Sequence, residues 1–419
     1  MVLQIFADNG TLQQVGNNHF PKKNPGLSDE YSLEEYLSES QFSSLKRETI
    51  KFIYGDKCDT SVDRILKERE PNVKVDVNEL SPMDGILYIQ QGEMGIAYPH
   101  DDHIKYIGSS GATTCHLLLI RDIATGVCGV AHIDSVSYTD LSGFLNKLRN
   151  VIKQKHEAQP SARHVDESKQ CHQANNERAS LDLYIVGGYQ DERGMSEKLS
   201  MALLKYFITS TEKFTLKVIA IGSLNTTSIT NKQNVEDSSN LSSDTDSIHL
   251  HNAPILYGAA TEIRTGRVFP ATFPYRGPDE TIRHLRLTFG ARQNGLNDYY
   301  NCDTRELIVP AFSCNPHIEN LKYYMELPDE TFLQFMSTSP KVEPSYFIES
   351  QKKVFRAAIE NPNLYQNVFP GRCNRVWKFY KNQGWMIKDG KKSKCKIIDQ
   401  EDIEVFQQSD CDYALPSDG

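Results

Sequence analysis

The chain lacks the marks of several large protein classes. No stretch of its 419 residues approaches the roughly 20 consecutive apolar residues that cross a bilayer. Its start, Met1 to Asp8, has no basic region and too short an apolar run for a secretory signal. The expected address is therefore the cytosol by default, with the nucleus as a further location, and no membrane partner is expected. There is no Lys/Arg block of the kind that neutralises phosphates: 46 basic residues stand against 55 acidic ones, a formal net charge of -9, which argues against nucleic acid as a partner. The nine cysteines, at 58, 115, 128, 171, 302, 314, 373, 395 and 411, form no C-x-x-C pair and no regular His/Cys ligand spacing. Neither a disulfide framework nor a structural zinc is suggested. Gly187-Gly188 matches neither G-x-G-x-x-G nor a P-loop and reads as a plain strand-to-helix turn.

What is present suits a folded enzyme. With 39% apolar residues and a mean hydropathy of -0.50, the chain can bury one large or two ordinary cores. Residues 1–80 mix short apolar patches with Pro, Gly and charge; they read as an extension packed on the core, with one helix around Ser40 to Tyr54. The core spans 81–360. Its first half shows short, closely spaced strands at Ile86 to Gln91, Met94 to Ala97, Thr114 to Arg121 and Val127 to His132, a spacing that predicts mostly antiparallel sheets. Leu141, Phe144, Leu145 and Leu148 then fall at helical spacing. A strand–helix–strand unit over 181–221, with Ser196 as the helix cap, and a hairpin over 255–273 follow. Two polar stretches, about 153–180 and 225–247, read as flexible insertions with little to bury. One helix is predicted near Ser350 to Ile359, and 361–419 forms a C-terminal segment and tail. The class is α+β.

The segment with chemical content is Gly108-Ser-Ser-Gly-Ala-Thr-Thr-Cys115-His116, a glycine- and hydroxyl-rich turn that delivers a thiol to the mouth of an apolar strand. If the strands around it form a tight hairpin closing near Ile123 to Gly126, residues whose numbers sum to 247 face each other, and Cys115 faces His132. Opposed side chains have Cβ atoms roughly 4.5 to 5.5 Å apart, within reach of proton transfer. A one-residue slip would send the pair to opposite faces. An imidazolium beside a thiol favours thiolate, so the pair can become nucleophilic at neutral pH. His116 alternates to the other face. The imidazole needs an orienting partner, for which Ser109, Ser110, Thr113 and Thr114 are the candidates. The bland alternative is a core thiol and a strand-end histidine. Cys128 reads as core, and Gln190-Asp-Glu-Arg193 as a solvated helix start.

At these residues the chain resembles the protein N-terminal asparagine amidohydrolases, eukaryotic enzymes of the N-degron pathway. The likeness rests on Leu87-Tyr-Ile-Gln-Gln91 with Glu93, Gly108-Ser109, Ala112-Thr-Thr-Cys-His116, His132 with Asp134, Val186-Gly-Gly188 with Asp191, Pro254-Ile-Leu-Tyr-Gly258, Arg276-Gly-Pro278, and Ser337-Thr-Ser-Pro340 with Glu343, Pro344 and Phe347. The family in turn is similar to cysteine hydrolases that include cytotoxic necrotizing factor.

The resemblance implies a layered α-β-β sandwich with Cys115 as nucleophile, His132 as base and Ser109 as the working hydroxyl. Backbone N–H groups of Thr114, Cys115 and His116 would hold the oxyanion. The implied reaction turns an N-terminal asparagine into aspartate and ammonia through a thioester, making the product a target of ubiquitin-dependent degradation. Selecting a chain terminus requires an acceptor for the α-ammonium, and Glu93, Asp134 and Glu343, with Gln91 beside them, are the candidates. No metal or organic cofactor is called for, the partners are proteins or peptides with a free N-terminal Asn, and a monomer is expected. The rivals are a deamidase of internal Gln or Asn and a non-catalytic module that binds N-termini.

Overall fold

The computed structural model describes residues 2–6, 12–14, 39–55, 77–100, 103–135, 138–158, 180–230, 250–290, 295–381 and 383–388. The run Leu117 to Ile120 is buried throughout, as suits a strand covered on both faces. It forms the middle of β7 (His116–Asp122), antiparallel to β8 (Cys128–Ile133). Asp122 builds the turn between them, its carboxylate accepting from the Thr125 N–H at 2.7 Å. Beyond β8 lie β5 (Glu93–Ala97), antiparallel to it, and the edge strand β15 (Asn297–Asp298), parallel to β5. On the other side of β7 comes β9 (Leu181–Val186), antiparallel. Next is β10 (Lys213–Ala220), parallel to β9 and joined to it through α3 (Met195–Thr209). The N-terminal β1 (Val2–Phe6) is parallel to β10, and β2 (Leu12–Gln14) closes this eight-stranded sheet.

A five-stranded sheet runs in the order β3 (Asn78–Glu79), β14 (Val268–Thr272), β13 (Ala259–Glu262), β6 (Tyr106–Ser109), β4 (Ile86–Tyr88). The two sheets pack face to face. Their approach is closest at Gly95, where a Cβ would come within 2.5 Å of Ile89 and 3.5 Å of Ile107. On the opposite face of the large sheet, Phe144 and Leu148 of α2 (Tyr138–Ala158) press against Gly129. Each such fully buried Leu or Phe stabilises the fold by roughly 1.5–3 kcal/mol. Helix, sheet and sheet thus stack in three layers, with α1 (Glu39–Tyr54) tied to β10 by the Thr49 hydroxyl, which accepts from the Ile219 N–H at 3.1 Å.

The C-terminal third adds α4 (Glu280–Phe289), α5 (Ile318–Met325), α6 (Asp329–Met336), α7 (Phe347–Glu360) and α8 (Leu364–Asn367). Two small sheets complete the fold: β11 (Thr226–Thr230) with β12 (Leu250–Pro254), and β16 (Tyr300–Asn301), β17 (Glu306–Val309), β18 (Arg375–Tyr380) and β19 (Gly384–Ile387). Helices α4, α5 and α6 all pack on α7. Buried charge pins this assembly to the sheets. Arg283 on α4 donates through Nε to Glu93 at 3.0 Å, makes a second, short bond to the same carboxylate, and reaches the Tyr88 carbonyl at 2.8 Å. Asp279, just before α4, accepts from Arg375 of β18 at 2.7 and 2.9 Å.

The α+β class and the early strands match the sequence expectation. The sheets, however, are mixed. The strand–helix–strand unit makes β9 and β10 parallel, and β1, about 200 residues away in sequence, joins them in the same sense, a pairing no local pattern reveals. The N-cap of α3 is Gly194 rather than Ser196, and the first-turn N–H groups are met by a carboxylate from outside the helix. Asp191 accepts from the N–H groups of Arg193, Met195 and Ser196, while Ser196 lies inside the helix with its hydroxyl on the Thr114 carbonyl. The two expected insertions start later than predicted: α2 continues to Ala158 and β11 occupies Thr226–Thr230. Residues 159–179 and 231–249 lie outside the described residues. Among the described residues no helix is long and apolar enough to cross a membrane.

Candidate active site

The turn Ser110 to Cys115 carries the chain from β6 in the smaller sheet to β7 in the larger, so the site forms where the two sheets meet. The pairing of β7 with β8 sets Leu117 opposite His132 and His116 opposite Ile133. The numbers of facing residues therefore sum to 249, not 247: the loop is the expected Ile123 to Gly126, flanked by the bonded pair Asp122 and Val127, and such a loop pairs residues two higher than the expected sum. A shift of two keeps the alternation intact, and continued one residue beyond β7 it puts Cys115, which lies in the bend before the strand, on the side of Leu117 and His132. His116 occupies the other face. It is fully buried, with Nε2 2.7 Å from the Ser200 hydroxyl of α3, and burial pulls its pKa down to about 3. Close packing of this ring requires the adjoining glycine: a Cβ on Gly188 would sit 2.5 Å from the His116 ring.

Ser109, at the end of β6, is fully buried and places its hydroxyl 2.8 Å from His132 Nδ1. Of the four hydroxyls open to this role, the structure brings Ser109 to the ring. The others are engaged elsewhere: Ser110 with Tyr88, Thr113 with Glu343, and Thr114 with Thr338 at 2.9 Å. The other ring nitrogen, Nε2, is buried and has no partner among the described residues. A proton on Nδ1, donated to Ser109, leaves the Nε2 lone pair free as an acceptor. Thr114 and Cys115 sit in an irregular bend before β7, and among the described residues their N–H groups meet no backbone acceptor. His116, by contrast, belongs to the ladder.

Electrostatics make the resting pair neutral. Burial, and then the carboxylates of Asp134 and Glu343, push the half-buried Cys115 thiol well above its ordinary range. Burial pulls His132 down to about 4, the charge of Arg276 adding to the effect and that of Asp134 opposing it. Burial therefore works against both charged members of the expected thiolate–imidazolium pair. Both changes share one cause, since desolvation disfavours the charged form of each group.

His132, Ser110 and Gly111 line a cleft whose other lining residues include Glu280, His284 and Leu287 of α4, Phe347, Ser350 and Gln351 of α7, and Glu343, Pro344 and Tyr346 before it. The three candidate carboxylates differ in kind. Glu93 is 3% exposed and held by Arg283 and by the Gln90 N–H, so it neither lines the cleft nor has charge to offer; its role is to join β5 to α4. Asp134 is exposed and accepts from Gln91 Nε2 at 3.1 Å, which brings those two predicted residues together at the cleft rim. Glu343 is half-buried, accepts from the Ser337 hydroxyl, and has no ion-pair partner among the described residues. Burial raises its pKa to about 7, which Ser337 and Thr113 only partly offset.

Sequence reasoning assigned no role to several cleft residues. Arg276 pairs with Glu280 at 3.2 Å and stacks over the Tyr346 ring at 4.0 Å. The Tyr88 hydroxyl donates to the Ser110 carbonyl at 3.2 Å and so braces the turn. Arg276 and Tyr88 lie in stretches that carry the resemblance, Arg276-Gly-Pro278 and Leu87 to Gln91; Tyr346 and His284 left no trace in the sequence. Among the described residues no group of three or more His, Cys, Asp or Glu is placed to hold a metal ion.

A family model described as "Protein N-terminal asparagine amidohydrolase" matches residues 76–387. Proteins of that name are similar to this chain. The human one is 27% identical over 307 residues, covering 73% of this chain and 84% of its own, and the pig one is 26% identical over 313 residues, covering 75% and 86%. The Arabidopsis thaliana one is 27% identical over 373 residues, covering 84% and 94%.

Proposed function

Because the chain belongs to the protein N-terminal asparagine amidohydrolase family, we propose that it hydrolyses the side-chain amide of asparagine at the free N-terminus of a protein or peptide, leaving aspartate and ammonia. The observation that carries this reading is the Ser109–His132 bond, which leaves a buried Nε2 without a partner among the described residues on a histidine that lines the cleft. Cys115 attacks the carboxamide carbon while its proton passes to Nε2 of His132. The N–H groups of Thr114 and Cys115 hold the oxyanion, the expected third donor, His116, being part of the β7 ladder. The imidazolium then protonates the departing nitrogen, ammonia leaves, and a thioester remains. Water enters, loses a proton to the regenerated imidazole, and releases the aspartate side chain. Since thiol and imidazole are both neutral at rest, proton transfer accompanies attack rather than preceding it. Glu343, the cleft carboxylate with no cation beside it, accepts the α-ammonium. The product carries a new acidic N-terminus, which in this reading marks the protein for ubiquitin-dependent degradation.

The test is mass spectrometry with ammonia detection on matched peptides beginning with Asn, Gln or acetyl-Asn, using the wild type and Cys115→Ala. Conversion of the free Asn peptide alone, abolished in the variant, is the expected result. Conversion of acetyl-Asn as well would mean a general deamidase. Binding without ammonia release would mean a recognition module.

A further inference from the structure

Glu343 is placed to do more than hold a charge. The segment Ser337 to Glu343 is docked directly on the nucleophile turn: Thr338 and Thr114 hydroxyls lie 2.9 Å apart, Ser337 donates to Glu343, and the Ser339 N–H donates back to Ser337 at 2.8 Å. Around the carboxylate, within electrostatic range, stand Tyr189, Tyr257, Tyr346 and the Cys115 thiol. Tyr257 is fixed by donating to the Val342 carbonyl at 3.2 Å. A half-buried carboxylate that lines a cleft and has no ion-pair partner among the described residues suits a primary ammonium ion. No protein cation fills that place among the described residues, since Arg276 is engaged by Glu280 and by the Tyr346 ring. A second observation points into the same cleft: His132 Nε2, on a side chain only 3% exposed, is unpartnered and ready to take a proton.

On the reading of the site given above, we propose that Glu343 and the substrate's α-ammonium together form a switch on Cys115, so that the nucleophile is released only when a free N-terminus is seated. With the cleft empty, the groups facing the thiol are Asp134 and Glu343, both acidic, with neutral His132 beside it and neutral His116 behind. The ammonium cancels Glu343 and adds a positive charge near the sulfur. The thiol proton then moves to Nε2, the C–S bond forms, and any proton resting on Glu343 is displaced to solvent. Selection of the N-terminus therefore acts on the chemical step and not only on binding, since the charge is required where the transition state develops.

The experiment compares an Asn peptide with its des-amino analogue, in which a succinamoyl group replaces the N-terminal asparagine, on the wild type and on Glu343→Gln, with and without methylammonium. For the wild type, the analogue should lose kcat by roughly tenfold or more, one pKa unit at the thiol being tenfold. Added methylammonium should restore much of that loss, and it should restore nothing in Glu343→Gln. An analogue with unchanged kcat and only a raised KM, or one that methylammonium does not rescue, would overturn the proposal. Failure to convert the Asn peptide itself would instead overturn the function proposed above, so the two failures are distinguishable.

Discussion

The two walls of the cleft are built on opposite plans. The wall made by β6, the Ser110–Cys115 turn and β8 keeps its titratable groups neutral: a buried thiol pushed up, an imidazole pulled down, and a second imidazole sealed behind. The facing wall, from Arg276 through α4 to the segment before α7, keeps charge at the surface of the cleft in Arg276, Glu280 and Glu343. The difference separates two tasks. Bond making needs a dry, preorganised acid–base pair, whereas recognising an ionic chain terminus needs fixed charge that water can reach until the substrate replaces it. The same contrast explains the fates of two glutamates. Glu93 is cancelled by Arg283 and holds the walls together, while Glu343 is left for a ligand.

The contrast breaks most severely at the neutral wall. Cys115→Ala or His132→Ala should reduce ammonia release on the order of 10⁴-fold or more, with circular dichroism unchanged. Retained turnover in either variant would remove that residue from the reaction. Next in size is the link between the walls. Glu93→Gln strands the Arg283 charge in the interior, so denaturant unfolding should show a loss of about 3–5 kcal/mol. Only a minor change would mean the ion pair is not what joins β5 to α4. Ser109→Ala removes the hydrogen bond that holds His132; at roughly 1.4 kcal/mol this should lower kcat about tenfold with KM little changed.

The charged wall is sharpened by pH. Glu343 must be ionised to accept an ammonium, so kcat/KM should fall as pH drops below about 7 and lose that inflection in Glu343→Gln. The smallest effect is on stability. The native carboxyl holds its proton to higher pH than the unfolded chain, so its contribution is full in acid and is lost as pH rises toward about 7. Melting temperatures of wild type and Glu343→Gln, compared across pH 4 to 8 as an approximate window, should therefore converge at the acidic end.

How much of this was legible depends on distance along the chain. The hairpin of β7 and β8 that carries His132 could be read because a hairpin is local and its side chains alternate with period two. The register error of two residues passed harmlessly for the same reason. The parallel joining of β1, β10 and β9 was invisible, since no nearby residues encode it. The helices α4, α5 and α6 were missed because their packing on α7, rather than a clear local pattern, makes them an assembly.

The sequence by itself determined the α+β class and the hairpin that carries His132, and it marked Cys115, His132 and three carboxylates as candidates. Only the tertiary structure decided which hydroxyl orients His132, that thiol and imidazole rest neutral, and that Glu93 is a strut while Glu343 faces the cleft. The physical reason is common to all three. Burial and charge pairing are properties of groups that meet in space from distant parts of the chain, as Glu93 meets Arg283 across 190 residues, and desolvation exists only once the walls have closed.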